Sequence, residues 1–246
     1  MSTLVRTELL ALRTTRLPWA LLAGAVLLTG LLAVNAVLEA GTDGAPSIGT
    51  AGAMLAVFGA TGPGRLVMLL LGVLAVTAEF RHATVTATVL RTPRRLRVLT
   101  AKGVAIGIVA AVAAAADLLV ALAVGLATGA VVPTLLNPDV VVHAAGLLLT
   151  YPLYGLIGVA AGALIVHQPV AVLLPLAWAL YLERFVLGLA PDAVTPWSLN
   201  GVTAALAHSG TVPDVLPVAL GGAALAAYAL LLFVLGAARF RHRDIT

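Results

Sequence analysis

Residues 79–102 read EFRHATVTATVLRTPRRLRVLTAK, and the runs on either side of them decide the fold. The stretch carries Glu79, Arg81, Arg91, Arg94, Arg95, Arg97 and Lys102, with Pro93 interrupting its middle. Before it the chain reads LLLGVLAVTA, and after it GVAIGIVAAVAAAA. A basic segment between two membrane-length apolar runs stays on the cytoplasmic side. The pattern therefore predicts two membrane helices joined by a cytoplasmic hinge, and the hinge is where soluble partners have access.

The rest of the composition agrees with a membrane setting. Of 246 residues, 61% are hydrophobic and 10% are charged, and the mean hydropathy is +1.11. Soluble domains carry about 25% charged and about 45–50% apolar residues, so the charge here is too sparse for a soluble surface. Ala and Leu dominate and strand alternation is absent, which predicts helical spans rather than a barrel. The net charge is +4. The basic residues cluster at span ends, so topology explains them and no nucleic-acid partner is expected. The chain has no cysteine, which excludes disulfides, thiol catalysis and cysteine metal sites.

Outward from the hinge, six spans are expected at 17–38, 64–79, 103–127, 140–166, 170–189 and 214–238, with residues 80–102 as the cytoplasmic segment. Residues 1–16 read as a short helix lying on the cytoplasmic interface, with Arg6 and Arg13 on one face. A signal peptide is the rival reading. It fails because the following run is full length and no small-residue cleavage site precedes polar sequence. Pro18 suits the first turn of the first span, and Trp19 suits the interface. Residues 39–63 hold no Lys or Arg and form an external loop. The apolar middle of that loop, AGAMLAVFGA, is expected to dip into the membrane or to pack on the spans. In the fourth span Pro152 is expected to kink the helix, while Gly146, Gly155, Gly158 and Gly162 permit close packing. Glu183 and Arg184 fall near the outer end of the fifth span, about 100° apart on a helix, so they do not pair with each other. Residues 190–213 form an external segment, in which VTPWSLNGVTAALAH reads as a short helix lying in the outer interface.

Charge placement supports both ends inside. The cytoplasmic segments then hold all of the basic residues except Arg65 and Arg184. The two halves of the chain do not align as repeats, which disfavours a carrier built on inverted repeats.

Chemical motifs are few. Lys102, the only lysine, lies outside any Gly-rich phosphate loop, and no H-E-x-x-H or G-x-S-x-G pattern occurs. The five histidines, His82, His143, His167, His208 and His242, are scattered, so neither a metal site nor a catalytic centre is expected. Glu79 is an acid among basic residues at a span end. It is either a solvated helix end or the partner of a charge in the hinge or on a cytoplasmic protein. Asp117 is the only acid deep inside a span. It must face the bundle interior, a subunit seam or water, or be protonated. A buried structural role and a place on a translocation route both stay open.

Several of these pieces together resemble the type-2 class of ABC transporter permeases. They are the triplet Glu79-Phe80-Arg81, the threonines Thr84, Thr86 and Thr88, the run Pro93-Arg94-Arg95, Lys102 opening the third span, and the ending Phe240-Arg241-His242-Arg243-Asp244. The resemblance covers the whole chain in topology and about thirty residues in motif. It implies an all-α fold of six spans with both termini cytoplasmic and a coupling helix between spans two and three. It also implies two such subunits, as a homodimer or a pair of sister chains, meeting at the pathway. Two copies of a separate ATP-binding subunit would supply ATP and magnesium, this chain holding no cofactor. By the same resemblance Glu79, Arg81, the stretch from Thr84 to Arg97, Lys102 and the N-terminal helix contact that ATPase. One departure is that the external loops are short, so no large external gate is expected.

The expected function is thus the permease subunit of an exporter in a bacterial cytoplasmic membrane, moving a drug, natural product, antimicrobial peptide or lipid. The bundle is too apolar for a sugar or ion route. One rival is a proton-coupled secondary transporter using Asp117. Another is a membrane scaffold or immunity protein that transports nothing.

Overall fold

Long runs without charge leave the backbone no water to bond inside a bilayer, so each run closes its own hydrogen bonds as a helix. The computed structural model describes residues 2–42, 45–81, 95–129, 132–207 and 215–242. Among them all regular structure is helical. Six stretches are long and apolar enough to cross a membrane: Arg16–Glu39, Ala51–Arg81, Leu96–Ala127, Pro138–Leu164, Gln168–Leu187 and Val218–Arg241. The chain is a multi-pass membrane protein by this measure.

The elements are α1 (Ser2–Thr14), α2 (Arg16–Glu39), α3 (Ala51–Gly59), α4 (Gly62–Arg81) and α5 (Arg95–Ala127). They continue with the single turn α6 (Val132–Leu135), α7 (Pro138–Leu164), α8 (Gln168–Ala177), α9 (Glu183–Leu187), α10 (Leu199–Leu206) and α11 (Val218–His242). Pro175 removes one backbone donor from α8, and the chain widens into a π turn at Trp178–Leu182 before α9. α7 runs through Pro152 unbroken.

α7 is the centre of the bundle and packs on α4, α5 and α11. Lipid tails are as apolar as leucine, so helices associate through close packing rather than through expulsion from water. The α4–α7 crossing shows how. A Cβ on Gly158 would overlap the Leu69 carbonyl, and one on Gly72 would overlap the Gly155 carbonyl. A Cβ on Gly162 would lie 2.9 Å from the Val73 carbonyl oxygen. The small-residue spacing on α7 is thus used, and Gly72 of α4 completes it.

Three segments refine the sequence reading. Residues 95–102 are helical and continuous with the third span, giving α5 33 residues. That is about 50 Å of helix against a hydrocarbon layer of about 30 Å, so the basic turns project beyond the apolar layer. The apolar 51–60 stretch forms α3, which buries Met54, Val57 and Phe58 against the spans. Its start is held by Thr50, whose hydroxyl accepts from the Ala53 amide, and by the Thr134 hydroxyl donating to the Gly49 carbonyl at 2.8 Å.

The third segment is α10, the short helix expected in 190–213, and it is packed rather than exposed: Gly201 to Leu206 are all buried. It wedges between α7 and α11, where Gly146 meets the Leu206 carbonyl and Gly221 meets Val202 and Ala205. The segment's small residues, which look interfacial in one dimension, are what let it enter the bundle.

Candidate functional site

The end of the bundle that carries α1 also carries most of the described basic side chains, and its charges are paired across three elements. Lys102 begins the apolar part of α5 and is 3% exposed. Its ammonium donates to Glu79 at the end of α4 at 2.5 Å and to Glu8 in the middle of α1 at 2.9 Å. A buried ammonium needs such partners, because leaving it alone at this depth costs several kcal/mol. The two acids keep some water contact, with side chains 18% and 21% exposed. Burial pushes the Glu8 carboxyl above its ordinary value, and the Lys102 charge opposes that shift.

Two further contacts close this end. Arg81 donates to the Gln168 side chain at 3.3 Å, joining the end of α4 to the start of α8. Phe80 meets Phe240 edge to face, with ring centroids 6.0 Å apart. A cavity of about 840 Å3 lies beside Phe80 and Arg81 and is floored by His167, Gln168 and Pro169.

The sequence-selected residues therefore divide. Glu79 and Lys102 are brought together, and Arg81 is tied to Gln168. Arg97 is exposed on the first turn of α5. Arg95 begins α5, with its side chain outside the described set. Thr84, Thr86, Thr88, Pro93 and Arg94 lie outside the described residues, as does Arg91. Glu8 was not singled out in the sequence. The signal available was an acid in an otherwise basic amphipathic segment.

Asp117 lies fifteen residues along α5 from Lys102, about 22 Å up the helix axis. It is 1% exposed. Its Oδ2 receives the Tyr151 hydroxyl at 2.7 Å, and the same hydroxyl lies 2.6 Å from the Thr61 carbonyl. Tyr151 has one hydroxyl hydrogen for two acceptors. Asp117 Oδ1 has no partner at normal hydrogen-bond geometry among the described residues, and the donor nearest to hand is the buried Thr29 hydroxyl, which acts on the same carboxyl. Asp117 makes no ion pair among the described residues either. A carboxylate at a span centre costs about 2.5–3.5 kcal/mol on the insertion scale. One hydrogen bond to a charged group returns about 1.5–3 kcal/mol, and the second oxygen remains unserved.

Asp117 is also one of the residues lining a cavity. This cavity, of about 910 Å3, runs between α1, α2 and α5. Its walls are apolar, formed by residues such as Leu22, Ala25, Val26, Val112 and Ala116. Arg13 and Trp19 stand at the α1 end, and Asp117 and Tyr151 at the other.

A second polar group was only half seen in the sequence. Glu183 is 4% exposed. It does not pair with Arg184; its carboxylate instead accepts from the Leu199 amide, from the Asn200 amide at 2.9 Å and from the Asn200 side chain. It thus satisfies the open amides at the start of α10. Arg65 lies over the Tyr154 ring, 5.7 Å from its centroid, and the Tyr154 hydroxyl meets Thr203 at 3.0 Å. These contacts fix α10 in place.

Among the described residues no group of three or more His, Asp or Glu is placed to hold a metal ion. Comparison of the chain with protein-family models and with curated proteins found no match.

Proposed function

We propose that this chain is the membrane subunit of an ATP-driven exporter in a bacterial cytoplasmic membrane. In this reading its basic end faces the cytoplasm and docks a separate ATP-binding subunit. The observation that carries the reading is the Glu8–Lys102–Glu79 contact, which ties α1 to the ends of α4 and α5. Those ends flank residues 82–94, so a push on that segment reaches three elements through one buried ammonium. Such a lever suits coupling, because α4 and α5 are rigid and packed on α7. Both ends of the chain fall on the cytoplasmic side by the positive-inside rule. A second copy, or a sister chain, completes the pathway, and ATP and magnesium belong to the partner.

The test is a coupling ratio. Glu79→Gln removes one charge from the contact while keeping the side chain's shape. With the partner ATPase in vesicles, the variant is expected to hydrolyse ATP while transport falls by about ten-fold or more, the scale of a lost buried charge contact. Equal transport per ATP in variant and parent overturns the coupling role.

A second reading rests on Asp117. Its unpaired oxygen beside a cavity suits a proton-coupled carrier. That reading requires transport that persists without an ATPase and stops when the proton gradient is dissipated.

A further inference from the structure

The cavity between α2 and α5 has a specific chemistry. Its walls are apolar almost throughout, and its volume, about 910 Å3, lies within the range of small-molecule sites. At one end is a buried acid, Asp117, that has only neutral hydroxyl groups near it and no ion pair among the described residues. At the other end stand Arg13 and the Trp19 ring. A fatty acid or phospholipid headgroup would bring a second negative charge to Asp117. A neutral apolar chain would leave the carboxyl as it is. A ligand with an N–H-bearing cation and a long apolar body satisfies every wall: its cation meets Asp117, and its body lies along Val112 and Val26. Arg13 disfavours the reverse orientation, because it would set two cations together.

We infer that this cavity binds lipophilic amines, with the ammonium on the Asp117 carboxylate and the apolar body directed toward Trp19. That these amines are the cargo rests on the exporter reading; the binding itself does not. The stretch of α5 lining the cavity, from Ile108 to Asp117, is about 14 Å long, enough for an extended alkyl chain.

Trp19 supplies the reporter. The chain has three tryptophans, so a Trp178→Phe/Trp197→Phe background leaves Trp19 alone. The full-length protein is placed in nanodiscs of phosphatidylcholine and phosphatidylglycerol, without the ATPase. The probe is dodecylamine brominated at its terminal carbon, with the equally brominated dodecanol as the neutral control. The amine is expected to quench Trp19 saturably, about ten-fold or more tighter than the alcohol, as one charge-assisted contact provides. Asp117→Asn should reduce the amine to the alcohol's level. Ala116→Phe fills the cavity and leaves the carboxyl in place, so it should abolish saturable quenching even if the Asp117 variant fails to fold.

Equal quenching by amine and alcohol overturns the proposal and leaves Asp117 a structural acid. So does quenching that survives Ala116→Phe, or a cavity closed by a second subunit that admits neither probe. Saturable amine binding in a protein that moves no amine with ATP and its partner keeps the site and removes the amines as cargo. Transport of another cargo with no amine binding removes the site and keeps the exporter reading.

Discussion

Lys102 is a lysine that water barely reaches, and it holds two acids from distant parts of the chain. Glu79 is 23 residues away and Glu8 is 94 residues away. That separation explains what the sequence revealed. A pairing of Glu79 with a hinge charge was one of the two readings its sequence left open, and Lys102 supplies that charge. Glu8 was marked only as an acid in a basic segment, which does not tell a paired acid from a solvated one, because its partner lies 94 residues away. Asp117 was legible as a buried oddity, but its Tyr151 partner comes from another span. Replacing Lys102 with Met removes the ammonium that Glu79 and Glu8 share. The half-wet acids place the cost at the lower end of the range for breaking a buried pair, about 3 kcal/mol. The expected result is faster hydrogen exchange over Ser2–Thr14 in the variant, with Lys102→Arg close to the parent. Unchanged protection of that helix in the Met variant would show that α1 is held by Leu12 and its apolar neighbours instead.

Between helices, the α4–α7 crossing depends on missing side chains. The glycine spacing on α7 was readable, but its partner face was not, because Gly64 and Gly72 lie eight residues apart on α4 with no small-residue spacing between them. Gly158→Ala should force the two backbones apart and cost about 1–3 kcal/mol, the usual price of overpacking. Gly107→Ala, where a Cβ has nothing within 4 Å, should leave the melting temperature in detergent unchanged or slightly raised, since Ala favours helix over Gly. Equal melting temperatures for the two variants would contradict the packing account. α10 teaches the same lesson from another side. Its helix was expected, but its burial was not, because burial requires Gly146 and Gly221 on two other helices and the Glu183 carboxylate at its start.

For the whole molecule, hydropathy alone located six spans, since any helix that crosses lipid must be long and apolar. The order of packing around α7 was not readable, because every span presents a similar Ala- and Leu-rich surface and one-dimensional patterns carry no pairing information. The extension of the third span back to Arg95 was hidden by the hinge's charge, which marks the membrane edge and not the helix end. The functional claim concerns what the basic end meets. The measurement that tests it most directly is a mild-detergent pull-down of the tagged chain, co-expressed with neighbouring gene products and scored for a P-loop ATPase. The account predicts an ATPase in stoichiometric amount, lost or weakened when Arg94 and Arg95 are both changed to Ala. A folded, monodisperse chain that retains no ATPase would contradict it.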